Sequence, residues 1–212
     1  MWRLFVIQVV AVATFLSASR SSADDWLTYR HDPTRSGVSQ DVLAVESLAL
    51  SWSWKSPSPP ISAWSAAAKW DAYAGIRGLR SMRDYDPVFA VIATEEAMFF
   101  GSSIDDSVRC LDLETGKVRW VFTTDGPIRI APCFSYGKVY FGSDDGHAYC
   151  LDAQSGELVW KINPIDLASA NSAADEARPR NIINNQRAIP FWPIRSGVTV
   201  VDGTAYFAAS ML

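Results

Sequence analysis

The chain has 212 residues, 49% of them hydrophobic, with nine tryptophans and a formal net charge of −4. An acidic balance with no basic stripe excludes nucleic acid as a partner, and it excludes electrostatic attraction to anionic lipid.

Residues 1–23 read as a signal peptide. Met1-Trp2-Arg3 is a cationic start, and Leu4 to Leu16 is an apolar run too short to span a bilayer comfortably. Ser21-Ser22-Ala23 supplies the small residues of a cleavage site. An uncleaved anchor is the rival reading. Cleavage after Ala23 removes Arg3 and Arg20 and leaves 17 basic against 23 acidic residues (19 − 2, and 23), a net of −6. It leaves no membrane span and places the rest of the chain in the periplasm or outside the cell. The first cysteine is Cys110, which argues against a lipid-anchored N-terminus.

Residues 24–212 read as one all-β unit. Leu48, Leu50, Trp52 and Trp54 alternate with small residues, predicting an N-terminal strand over 47–55 that helps to close the fold. Residues 62–83, rich in Ala with Trp64, Trp70 and Tyr73, read as an insertion. Two matching units follow, over 86–123 and 126–162. The first contains Phe99-Phe100-Gly101-Ser102 and then Cys110 to Trp120. The second contains Tyr140-Phe141-Gly142-Ser143 and then Cys150 to Trp160, a period near 40 residues. Several short strands at that period are the signature of propeller blades.

In the second unit four strands are predicted, over Pro127–Phe134, Lys138–Gly142, His147–Leu151 and Glu157–Ile162. Tyr136-Gly137, Asp144-Asp145-Gly146 and Gln154-Ser155-Gly156 supply the turns. Residues 163–192 read as a second insertion, with a helix over Asp166–Ala177 and then a polar stretch. A partial third unit occupies 193–212, beginning with Pro193-Ile194-Arg195. The long loops are read either as binding surfaces or as caps over the propeller face.

The eleven-residue motif has a physical logic. Asp112 accepts hydrogen bonds from turn amides, Thr115 does so more weakly, and Gly116 takes a positive φ. Trp120 then leaves on the last strand, where its ring can pack on the next unit while its N–H seeks an acceptor. Asp152, Ser155, Gly156 and Trp160 repeat the pattern.

The motif resembles the tryptophan-docking motif of the PQQ-repeat propellers, which include quinoprotein alcohol dehydrogenases and the propeller lipoprotein of outer-membrane assembly. Asp25 to Arg30 and Arg35 to Val38 look like the segment that opens many exported members. The resemblance implies a β-propeller of four-stranded antiparallel blades, eight-bladed when complete, with about two and a half blades present here. It does not by itself carry function. Quinoprotein dehydrogenases have adjacent cysteines, an Asp base and Glu/Asn/Asp ligands for Ca²⁺, and no two cysteines are adjacent here. The expectation is a non-catalytic exported scaffold with no cofactor, catalytic residue or metal site of its own. It would bind an unknown protein or envelope ligand, and would need missing blades or self-association to close. The alternative is the N-terminal part of a PQQ-dependent dehydrogenase, with PQQ and Ca²⁺ held beyond residue 212.

Among individual residues, Cys110, Cys133 and Cys150 are expected as three buried thiols, too far apart to bridge. Asp105-Asp106 and Asp144-Asp145 are read as turn residues. His31 and His147 lack partners at metal-ligand spacing. Pro127-Ile128-Arg129 recurs as Pro193-Ile194-Arg195, so Arg129 and Arg195 could bind an anion at the channel mouth. The preferred reading is that each pairs with a carboxylate such as Asp125 and organises structure.

Overall fold

The computed structural model describes residues 24–42, 45–57, 90–169, 181–184 and 187–209. The signal-peptide segment and the insertion over 62–83 lie outside the described residues. The architecture is all-β. Blade 1 is a four-stranded antiparallel meander of β1 (Val91–Ala93), β2 (Ala97–Ser102), β3 (Ser107–Asp112) and β4 (Val118–Thr123). Blade 2 repeats it with β5 (Cys133–Ser135), β6 (Lys138–Gly142), β7 (Ala148–Asp152) and β8 (Leu158–Ile162). Then come a short helix α1 (Pro164–Ser169), a hairpin of β9 (Asn181–Asn184) with β10 (Arg187–Pro190), and the hairpin β11 (Thr199–Val201) with β12 (Thr204–Tyr206) that opens blade 3.

Register follows the repeat closely. Cys110 lies opposite Trp120, Cys150 lies opposite Trp160, and each blade has a bulge one step later. The tight turns use Tyr136-Gly137 and Asp202-Gly203, with both central residues at positive φ, as the right-handed strand twist favours. The middle strands β2, β3, β6 and β7 are almost wholly buried, whereas β4 and β8 alternate toward solvent. The core cluster spans the seam between blades, joining Ile92, Phe99 and Val108 to Ile128, Phe141 and Leu151. Each blade therefore gains part of its stability from its neighbour.

Three expectations change. The segment over 47–55 is no strand: Val45–Ser47 forms a single 3-10 turn, and the residues after it join no ladder. Leu48 and Leu50 are exposed, so the alternation has a buried side only from Trp52 onward. The first strand of blade 2 is only Cys133–Ser135, because Pro127 and Pro132 have no N–H to give a ladder. The helix in the second insertion starts at Pro164, a favoured first-turn residue, after Asn163 accepts the Ile165 N–H at 3.0 Å. Its expected continuation to Ala177 passes outside the described residues.

The N-terminal residues form a clip. Trp26 exchanges two backbone hydrogen bonds with Ala93 at 2.8 and 2.9 Å, extending the β1 edge. The next carbonyl, of Leu27, accepts the Phe134 N–H of β5 at 2.7 Å. Residues 26–27 thus tie blade 1 to blade 2.

Candidate functional site

The motif turns behave as their chemistry requires. Asp112 Oδ1 accepts both the Thr115 N–H and the Thr115 hydroxyl at 2.8 Å. The Arg119 guanidinium beside it, then the Thr115 bonds, hold the Asp112 carboxyl down at about 2. Asp152 accepts the Ser155 N–H at 2.9 Å and its hydroxyl at 3.0 Å, and its carboxyl is lowered for that reason.

Trp120 leaves blade 1, lies over Gly156 of blade 2 and donates its indole N–H to the Ala153 carbonyl at 3.0 Å. A Cβ on Gly156 would stand 2.6 Å from the Trp120 ring. Gly156 is thus required twice, for its φ of 74° and for the indole laid against it. Phe122, two residues on, meets Phe141 and Tyr149 edge to face.

Blade 1 receives the same treatment from residues the sequence reading had placed in a strand. Trp52 donates to the Leu113 carbonyl at 2.8 Å and lies over Gly116, where a Cβ would be 2.5 Å from the ring. Trp54 meets Phe100 edge to face, and the Arg109 guanidinium stands 5.7 Å from its ring centre. The Trp-x-aromatic spacing of 52 and 54 matches that of 120 and 122, and this was the available signal.

A second joint lies on the opposite side of each seam. Ile128 packs where Gly101 would carry a Cβ, and Ile194 packs where Gly142 would. Beside it, Arg129 and Arg195 come together on one carboxylate. Arg129 Nε donates to Asp144 Oδ2 at 2.8 Å, and Arg195 Nε donates to Asp144 Oδ1 at 2.9 Å. Asp144 is 2% exposed. Each arginine thus pairs with a carboxylate, and that carboxylate is Asp144 for both; Asp125, the example named from the sequence, points to solvent 3.9 Å from Lys161. Asp144 escaped the sequence reading because 15 and 51 residues separate it from the two cations.

The other turn acids play a different part. Asp105 Oδ1 accepts from Ser107 Oγ at 2.8 Å and pairs with Arg109. Burial opposes its charge, but the bonds from Arg109, Ser102 and Ser107 outweigh burial and hold its carboxyl at about 2. The corresponding acid in blade 2 is Asp145, which accepts the His147 N–H at 2.9 Å and the Tyr149 hydroxyl. Burial first, then this bond to Asp145, pushes the Tyr149 phenol well up. Cys110, Cys133 and Cys150 are free and buried, and burial raises each thiol, Cys110 to about 11. His31 is held in the N-terminal clip by Asp24 at 2.8 Å.

A family whose description reads "Outer membrane protein assembly factor BamB", the PQQ_2 group, matches residues 54–204. The chain belongs to this PQQ-repeat family. Alcohol dehydrogenase (quinone), dehydrogenase subunit, of Gluconacetobacter polyoxogenes is 33% identical over 88 residues, which are 34% of this chain and 12% of that protein. Quinohemoprotein alcohol dehydrogenase from Comamonas testosteroni superposes with a TM-score of 0.44 at 21% identity, over 69% of this chain and 20% of that one. BamB from Moraxella catarrhalis gives 0.33 at 20% identity, over 54% and 40%. The chain thus spans a small part of the length of the alcohol dehydrogenases it matches.

The cysteines are buried separately in two blades, and the Asp144 carboxylate already accepts from two guanidiniums. Among the described residues no three His, Cys, Asp or Glu side chains gather as a metal ion would require. Also among them, no helix is long and apolar enough to cross a membrane.

Proposed function

We propose that this chain is part of an exported, non-catalytic propeller scaffold at the cell envelope, presenting loops on a rigid ring to a protein or small ligand. The supporting observation is the Arg129–Asp144–Arg195 cluster. The sequence feature most suggestive of ligand chemistry is turned onto one buried carboxylate, where it fastens blade 2 to blade 3. The long connection between those blades is where a binding surface would concentrate. Relatedness to an outer-membrane assembly factor supports a protein-binding role in the envelope, and the signal-peptide reading of residues 1–23 supports export.

A second reading is favoured by the 33% identity to a quinone-dependent dehydrogenase subunit: the chain would belong to a PQQ-dependent oxidoreductase whose active site uses residues outside it. Equilibrium dialysis of the purified full-length gene product against PQQ and Ca²⁺ separates the two. The scaffold reading expects no retained chromophore and no dye-linked alcohol oxidation. Stoichiometric quinone with turnover overturns it. N-terminal sequencing of protein recovered from the periplasm or medium should begin at Asp24.

A further inference from the structure

The connection from blade 2 to blade 3 is longer than its counterpart and returns to cover one turn of blade 2. Between the Asp145–His147 turn and this inserted segment lies a cleft of about 260 Å³, walled on the far side by Asn163, Asn181, Pro190 and Trp192. We infer that this cleft binds one neutral polyhydroxylated ring, a sugar, laid against Trp192. It names a ligand class for the binding role proposed above, at a place separate from the arginine clamp.

The polar groups facing the cleft are set in advance. Asp145 Oδ1 lies 3.2 Å from His147 Nδ1 and accepts the His147 N–H at 2.9 Å. That arrangement puts the proton of the neutral imidazole on Nδ1 and turns Nε2 into an acceptor. Asn163 Oδ1 is engaged by the Ile165 N–H at 3.0 Å, which leaves its Nδ2 as a donor. Trp192 is half-buried and braced edge to face by Phe191 at 5.2 Å. Pro190 closes down on the same turn, where a Cβ at Gly146 would meet it at 3.2 Å. An apolar ring, one acceptor and one donor at fixed positions suit a sugar, whose C–H face and hydroxyls need these three together.

Charge and size narrow the other small ligands. Among the described residues no lysine or arginine lines the cleft, so an anion meets no cation there. An ammonium would find Asp145 only 5% exposed, with its oxygens already accepting from His147 and Tyr149. It would also meet the exposed Asp166 carboxylate at the cleft, so a cation is the charged competitor to be tested. The volume lies just below the ~300–1,000 Å³ of drug-sized sites, which limits the occupant to about one ring. Blade 1 provides the contrast. At the equivalent turn its acid is met by Ser107 and Arg109, which leaves neither an imidazole nor a facing wall of the second insertion.

Saturation-transfer NMR on the full chain tests this, with the methyl glycosides of glucose, galactose and N-acetylglucosamine as probes and butylammonium as the charged control. Saturation should reach the ring C–H protons of at least one glycoside. Trp192→Ala should weaken that binding about tenfold, and His147→Ala should weaken it by a smaller factor. Circular dichroism melts of both variants confirm that the fold is kept. Either of two results overturns the inference: no transfer to any glycoside from the folded wild type, or transfer undiminished in Trp192→Ala. Binding of butylammonium with none of the glycosides replaces it with a cation site. Quinone retention in the dialysis experiment would instead defeat the scaffold reading and leave these outcomes separately readable.

Discussion

Blades 1 and 2 share a skeleton and differ in what their turns hold. In both, an Asp-x-x-Thr/Ser-Gly turn presents a glycine, a tryptophan from the preceding segment lies on it, and an isoleucine from the following segment fills the space beside a β-strand glycine. Between the second and third strands the blades part company. Asp105 faces Ser107 and Arg109 and closes on itself as an ion pair, whereas Asp145 is satisfied by neutral donors and steers His147 into a cleft. Docking is therefore a property of the repeat, and chemistry is a property of the residues two and four places after the turn acid.

The largest effect that would break this comparison is at the docking tryptophans. Trp120→Ala removes a half-buried indole and its hydrogen bond and should cost about 3–5 kcal/mol in urea unfolding. Trp52→Ala should cost less, because Trp52 arrives on a segment with no ladder of its own. Equal losses would mean that the two seams are not graded as described. Removing Asp144 by Asp144→Ala leaves two guanidiniums sharing a site without their carboxylate. It should cost about 3 kcal/mol, and the double change Asp144→Ala with Arg195→Ala should recover part of it.

Next come the glycines. Gly156→Ala drives a Cβ into the Trp120 ring and should cost about 2–3 kcal/mol, overpacking added to backbone strain. Gly137→Ala has a similar φ but open space around it, so only the strain of about 1 kcal/mol should appear. The Asp105–Arg109 pair offers a smaller, pH-dependent handle. A carboxyl held at about 2 against an ordinary 3.8 stabilises the fold above its ordinary value. That contribution fades as pH falls from near 4 through 2. Arg109→Gln should flatten this part of the acid-unfolding profile, measured by circular dichroism. Asp25 works in the opposite sense: burial first, then Glu95, raises its carboxyl, so its charge penalises the fold at neutral pH. Asp25→Asn should raise the melting temperature slightly at pH 7 and leave it unchanged at pH 3.

The strands and the motif turns were legible because their signals are local. Tyr136-Gly137, Asp112 to Gly116 and Trp120 each announce a conformation within a few residues. Other features depend on the chain's return. Asp144 gains its meaning from Arg195, 51 residues later. Trp52 and Trp54 gave a strand-like alternation because docking aromatics two apart face the same way, and no partner strand was needed to produce it. The first strand of blade 2 is shorter than its apolar run suggests because Pro127 and Pro132 within that run have no N–H for a ladder. The hairpin of β9 and β10 went unseen in a stretch that reads as polar loop, and with it the wall that faces His147.

The fit of isoleucine beside glycine recurs across connections of very different length. Gly101 meets Ile128 27 positions later, and Gly142 meets Ile194 52 positions later. Doubling a connection costs only about 0.6 kcal/mol in closure entropy, so the joint tolerates whatever is spliced into it. New sequence can be tried in the linker between blades while the frame around it stays unaltered, which gives this molecule a cheap place to evolve.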